Sequence, residues 1–98
     1  MPNFYVSVVD FAFQPNSLTI IPGDTIFFDI FGDKSKKLIG SIESPELKWG
    51  NVWQYKFSKV GVYDITCQDY PNMQCSINVV KLKDIKDPYR KLMYTDAM

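Results

Sequence analysis

The chain has 98 residues, 46% hydrophobic and 15% aromatic, which is enough for one domain with one core and too apolar for a disordered segment. Its 11 Lys+Arg balance its 11 Asp+Glu, so no electrostatic case arises for nucleic acid or an anionic membrane. Histidine is absent, which removes the usual neutral-pH general base and the commonest nitrogen donor to metals.

Met1-Pro2-Asn3 leads straight into a strand-like run, with no basic or apolar leader ahead of it. Two compartments stay open on that reading: an intracellular chain, or one trimmed of its leader. Residues 4–10 (FYVSVVD) are β-branched and aromatic and predict a first strand. Phe11-Ala12-Phe13 extends the apolar pattern until Gln14-Pro15-Asn16 breaks it. Residues 17–21 predict a short second strand, and Pro22-Gly23-Asp24 a turn. Residues 25–31 (TIFFDIF) predict a strand apolar enough to lie centrally. Residues 32–37 (GDKSKK) read as polar loop, 38–42 as a weaker strand, and 43–51, with Pro45 and Gly50, as loop. Trp53, Tyr55 and Phe57 alternate along a strand over 52–57 and read as its core face. Lys59-Val60-Gly61 turns the chain into a strand over 62–67, and the last strand spans 76–82.

Many short strands, regular turns and no helical period before residue 83 predict an all-β, Greek-key β-sandwich of seven or eight strands over residues 1–82. The apolar runs are strand-sized, far short of the roughly 20 residues that cross a bilayer. Residues 83–98 form a C-terminal tail. Within it, Asp87 and Pro88 predict the N-cap and first turn of a short helix over 88–94. That tail is either solvated or docks Tyr89, Leu92 and Tyr94 on the sandwich or on a partner.

Two blocks of sequence resemble the cupredoxins, the family of plastocyanin, pseudoazurin and amicyanin. The first runs from Phe11-Ala12-Phe13-Gln14-Pro15 through Leu18-Thr19-Ile20 to Gly23-Asp24-Thr25-Ile26-Phe27-Phe28. The second runs through Tyr55-x-Phe57, Gly61-x-Tyr63-Asp64-x-x-Cys67, Pro71-x-Met73 and Ile77-x-Val79. With the segment between them, the resemblance covers residues 4–81. It implies a cupredoxin-like domain whose copper ligands would come from the loop after the third core strand and from the loop between the last two strands. Carried over residue by residue, the four ligand positions are Lys37, Cys67, Tyr70 and Met73. The cysteine and the axial methionine persist, and both histidines are replaced.

A blue-copper centre takes two imidazoles and a thiolate in a plane, with a weak axial donor. A protonated lysine and a neutral phenol replace neither imidazole. No bound metal or other cofactor is therefore expected, and the cavity is read as filled by side chains. Tyr70 caps it with its ring, Lys37 covers it with its stem, and Cys67 is a buried inert thiol. Cys75 opens alternatives. Cys67 and Cys75 flank one loop, which admits a disulfide and with it a thiol/disulfide redox site. Reduced, Cys67, Met73 and Cys75 make a soft donor set suited to Cu(I), as in a copper chaperone or storage protein. A further alternative has Lys37 lowering the pKa of Cys67 to make a reactive thiol.

No Cys–His or Ser–His pair, phosphate-cradling glycine loop or carboxylate cluster is present, so no enzyme is expected. Cupredoxin-like domains without copper are known as protein-recognition modules. The resemblance thus implies a structural or protein-binding role, with a protein partner, no nucleic acid and no membrane insertion. Trp49, in Leu47-Lys48-Trp49-Gly50, is the candidate contact residue. The edge strands of the open sandwich are another candidate surface.

Overall fold

The computed structural model describes residues 4–85. Nine strand segments follow in chain order: β1 (Phe4–Val9), β2 (Ala12–Gln14), β3 (Ser17–Ile20), β4 (Asp24–Ile30), β5 (Lys36–Gly40), β6 (Glu46–Leu47), β7 (Val52–Phe57), β8 (Gly61–Cys67) and β9 (Tyr70–Val79). A short 3-10 turn (Leu82–Asp84) ends the described part. One sheet has the order β2-β1-β4-β7 and the other β3-β9-β8-β5-β6. The result is the predicted all-β sandwich, with β2 and β6 as short additions of three and two residues.

The period-2 alternation of side chains decides which residues fill the space between the sheets. Phe4, Val6 and Val8 of β1 and Ile26, Phe28 and Ile30 of β4 point inward and are buried. Ile20, Leu38, Ile65, Ile77 and Val79 meet them from the other sheet. Full burial of side chains this size contributes about 1.5–3 kcal/mol each relative to exposure. A run of rings crosses one flank of the core: Phe28–Trp53 at 5.8 Å, Trp53–Tyr55 at 5.6 Å, Tyr55–Phe57 at 4.9 Å and Phe57–Tyr63 at 5.1 Å. Trp53 and Tyr55 are only half-buried, so β7 closes the core less completely than the alternation predicts.

Local bonds set the phase of the strands that matter below. Ser44 is buried and brackets Leu38: its Oγ accepts from the Leu38 N–H at 2.9 Å, and its own N–H donates to the Leu38 carbonyl at 2.9 Å. Leu38 is thereby held facing inward, opposite Cys67. Gly40 leaves β5 with φ +112°, and a Cβ there would strike the Asp64 carbonyl oxygen.

Several boundaries differ from those the sequence predicts: β5 starts at Lys36, inside the expected loop, and ends at Gly40, β6 lies within the expected loop over 43–51, and β9 ends at Val79. Only Gln68 and Asp69 connect β8 to β9, so residues 70–75 are strand rather than loop. The Thr66 hydroxyl bonds the carbonyls of Met73 at 2.6 Å and Pro71 at 3.1 Å, which ties this stretch to β8. The register jumps there, from Thr66↔Gln74 to Cys67↔Tyr70, and Pro71, with no N–H to give a ladder, sits in the irregular stretch. At the C-terminal side Ile85 is buried in the core, so the folded body continues past Leu82. The helix expected over 88–94 lies outside the described residues. Among the described residues, no helix is long and apolar enough to cross a membrane.

Candidate functional site

Several connections meet at one end of the sandwich. Phe31, just after β4, donates its N–H to Val8 at 2.9 Å, and Ile30 donates to Asn51 at 3.1 Å. These bonds bring together the ends of β1 and β4 and the start of β7. Gln68 of the β8–β9 hairpin donates to the Lys37 carbonyl at 2.9 Å, which brings in β5.

At the centre of this end stands Lys36. Leu38 is pinned inward, so the residue two places before it is inward as well. Lys36 has 0% side-chain exposure. Its ammonium donates to the Lys34 carbonyl at 3.0 Å and pairs with the Asp10 carboxylate at 3.4 Å. It also lies 5.6 Å from the centroid of the Tyr70 ring, within cation–π range. Phe11 packs edge-on against that ring at 5.5 Å. Gly32 completes the arrangement, because a Cβ there would collide with the Asp10 carboxylate. A buried ammonium is costly unless its charge is answered locally. A carboxylate, a carbonyl and an aromatic face answer it here.

Lys37 stands elsewhere. It is 36% exposed and forms an ion pair with Glu43 at 3.1 Å. The expectation that Lys37 covers the site is therefore corrected to Lys36, because adjacent strand residues face opposite ways. The same geometry removes the pairing of Lys37 with Cys67 that a reactive thiol would require, since Leu38, not Lys37, lies opposite Cys67.

The three sulfur residues all face the core. Cys67, Met73 and Cys75 are buried. Both cysteines are free, so the alternative of a Cys67–Cys75 disulfide is not realised, and with it goes the thiol/disulfide site. The register explains why: Ile65 is the direct partner of Cys75, and Cys67 pairs with Tyr70. The Cys75 thiol makes one long contact, to the Pro15 carbonyl at 3.9 Å. Burial pushes its pKa from 9.0 up to about 11, which keeps it a neutral thiol at physiological pH. Among the described residues, no three His, Cys, Asp or Glu side chains converge as a metal site.

Around the Lys36 end the surface is aromatic. Phe11 is 69% exposed, Trp49 66% and Phe31 45%. A separate groove of about 660 Å³ lies on the outer face of β8 and β9, with Asn16, Asp64, Thr66, Gln74 and Ser76 in its walls.

Sequence reasoning missed Asp10, Phe11 and Lys36. Lys36 was within reach, since counting back two places from the apolar Leu38 finds it. Asp10 carried no local signal, because its partner lies 26 positions away.

No family model matches the sequence, and no curated protein does. Solved structures do match. The reduced Cu(I) form at pH 4 of an amicyanin mutant superposes with a TM-score of 0.74 at 18% identity, covering 79% of this chain and 81% of that one. An oxidised amicyanin mutant gives 0.74 at 16%, with the same coverage. A Cu(I) form of another amicyanin mutant gives 0.75 at 16%, covering 80% and 82%. At such identities the likeness establishes the fold: this is a cupredoxin-like sandwich.

Proposed function

We propose that this chain is a cupredoxin-like domain in which an internal ammonium replaces the copper ion, and that it serves a non-enzymatic, protein-binding role. One observation carries the reading: the inward residue of β5 at the hairpin end is Lys36, held by Asp10 and Lys34 beneath Tyr70. A type 1 copper centre needs two imidazoles beside its thiolate. The side chains at this end are an ammonium, a phenol, a thiol and a thioether, and this donor set does not fit that centre. The ammonium instead supplies a fixed positive charge. The exposed rings of Phe11, Phe31 and Trp49 support a contact face at the same end, since solvent-facing aromatics commonly anchor interfaces.

Copper loading tests the proposal. After incubation with Cu(II) and removal of excess metal, the protein should hold no stoichiometric copper and show no intense absorption near roughly 600 nm, the thiolate-to-copper band of such centres. A blue protein with one copper per chain overturns the reading.

A second reading has Cu(I) held by sulfur alone. It is favoured by Cys67, Met73 and Cys75 sharing the inner face of β8 and β9. Anaerobic Cu(I) titration against a competing chelator decides it. Binding no tighter than in a Cys67→Ser variant rules it out.

A further inference from the structure

A sheet edge presents unpaired backbone groups to any strand that can reach them. Among the described residues three of the four sheet edges are short and bounded by proline. β2 has three residues and runs into Pro15, β3 has four and is followed closely by Pro22, and β6 has two and follows Pro45. β7 is different. It is six residues long, VWQYKF, with no proline or glycine and one charge, and among the described residues it pairs with β4 on one side only. Short length, proline and charge are what blunt an edge against strand addition, and β7 has little of any.

The phase of this edge can be read from the ladder. Ile30 donates its N–H to Asn51, and the β4–β7 register runs unbroken from Asp29↔Val52 to Asp24↔Phe57. Antiparallel residues alternate between pointing both backbone groups at the partner and pointing both away. The Asn51 carbonyl and both backbone groups of Trp53 and Tyr55 therefore point at β4, and Val52, Gln54 and Lys56 point theirs out from the free edge. The side chains of those three are also exposed, on the outer face.

We infer that β7 is a homotypic pairing surface. Two copies of this chain join antiparallel about a two-fold axis at Gln54, merging two four-stranded sheets into one of eight strands. In this register Gln54 faces the partner's Gln54 and exchanges both backbone bonds with it. Val52 and the partner's Lys56 do the same. On the inner face Trp53 lies opposite the partner's Tyr55, twice by symmetry, which covers two rings that β7 leaves half-buried. On the outer face Val52 already neighbours Asp29. The partner's Lys56 thus reaches across Val52 toward Asp29, a carboxylate in no ion pair among the described residues. Two such opposite-charge pairs form. An axis at Lys56 would instead oppose two lysines, and one at Val52 would shorten the overlap. Charge and backbone together therefore select a second copy, in this register, as the occupant. A single added strand pair buries less than the roughly 1,200 Å² of a standard stable interface, so association is concentration-dependent.

Sedimentation velocity of the full chain from about 10 µM to about 1 mM, with amide hydrogen exchange, tests this. The expected result is a sedimentation coefficient that rises with concentration, and slowed exchange at Val52, Gln54 and Lys56. Gln54→Lys sets like charges at the axis and weakens association about tenfold. Lys56→Glu weakens it similarly, and adding Asp29→Lys to that variant restores it. Far-UV circular dichroism checks that each variant stays folded. The inference is overturned if the chain sediments as a monomer throughout, or if folded Gln54→Lys associates like wild type. Failure of the charge swap to rescue overturns it as well. So does exchange protection falling at Phe11 and Phe31 instead, which would assign the contact to the aromatic end.

Discussion

Lys36 has no exposed side-chain surface, so both its stem and its charge take part in folding. The stem fills core volume, while the ammonium is desolvated and then answered by Asp10, Lys34 and Tyr70. For buried ion pairs the attraction often only balances desolvation. Lys36→Met, which keeps the stem and drops the charge, should therefore fall within about 1.5 kcal/mol of wild type in urea denaturation. Lys36→Ala should lose about 2–4 kcal/mol, because it opens a cavity. Equal losses in the two variants would mean that the ion pair, not packing, dominates. Cys75 is the other residue with a pH consequence. Its folded pKa of about 11 lies above the ordinary 9.0, so the folded state holds the proton after the unfolded chain has released it. By linkage this group leaves stability flat below about pH 9 and lowers it as pH rises from about 9 to about 11. Cys75→Ser should flatten that limb of a stability–pH curve. In native protein at pH 7 the Cys75 thiol should resist alkylation, and it should react once the chain is denatured.

The β8–β9 hairpin and β5 together decide what the hairpin end contains. A loop over 68–75 could have carried a ligand set in an open arc. The Thr66 hydroxyl instead draws Pro71 and Met73 onto β8, which leaves Gln68 and Asp69 as the connection. Thr66→Val should cost about 1–2 kcal/mol in urea denaturation and speed amide exchange over 70–74, since it removes the group that holds this stretch. An unchanged exchange pattern would show that the hairpin closes by packing alone. The strand positions were legible in the sequence wherever apolar residues alternate, as in β1, β4 and β8. The start of β9 was not, because Tyr70-Pro71-Asn72 reads locally as turn chemistry. Its strand state depends on a hydroxyl from the preceding strand.

At the scale of the molecule, the two proposed surfaces are distinct. The Lys36 end gathers the aromatics that support partner recognition, and the β7 edge runs from that end along one side of the sandwich. Cu(II) should leave the melting midpoint within about 1 °C of the metal-free value, because a ligand stabilises only in proportion to its occupancy of the folded state. A clear upward shift would contradict the metal-free reading. By itself, the sequence determined the fold class, through alternation and turn residues, and the absence of any imidazole, through composition. Its motifs also pointed to the cupredoxin-like arrangement that the amicyanin structures share. Tertiary structure decided the rest. Which of two adjacent lysines turns inward was fixed by the Ser44–Leu38 bonds that set the phase of β5. That Asp10 answers its charge was fixed by a contact closed only when β1 and β5 meet at one end. That two nearby cysteines stay apart was fixed by register, which puts Ile65 opposite Cys75. Strand periodicity is a local property of the chain, whereas phase, register and the pairing of charges depend on distant segments being brought together.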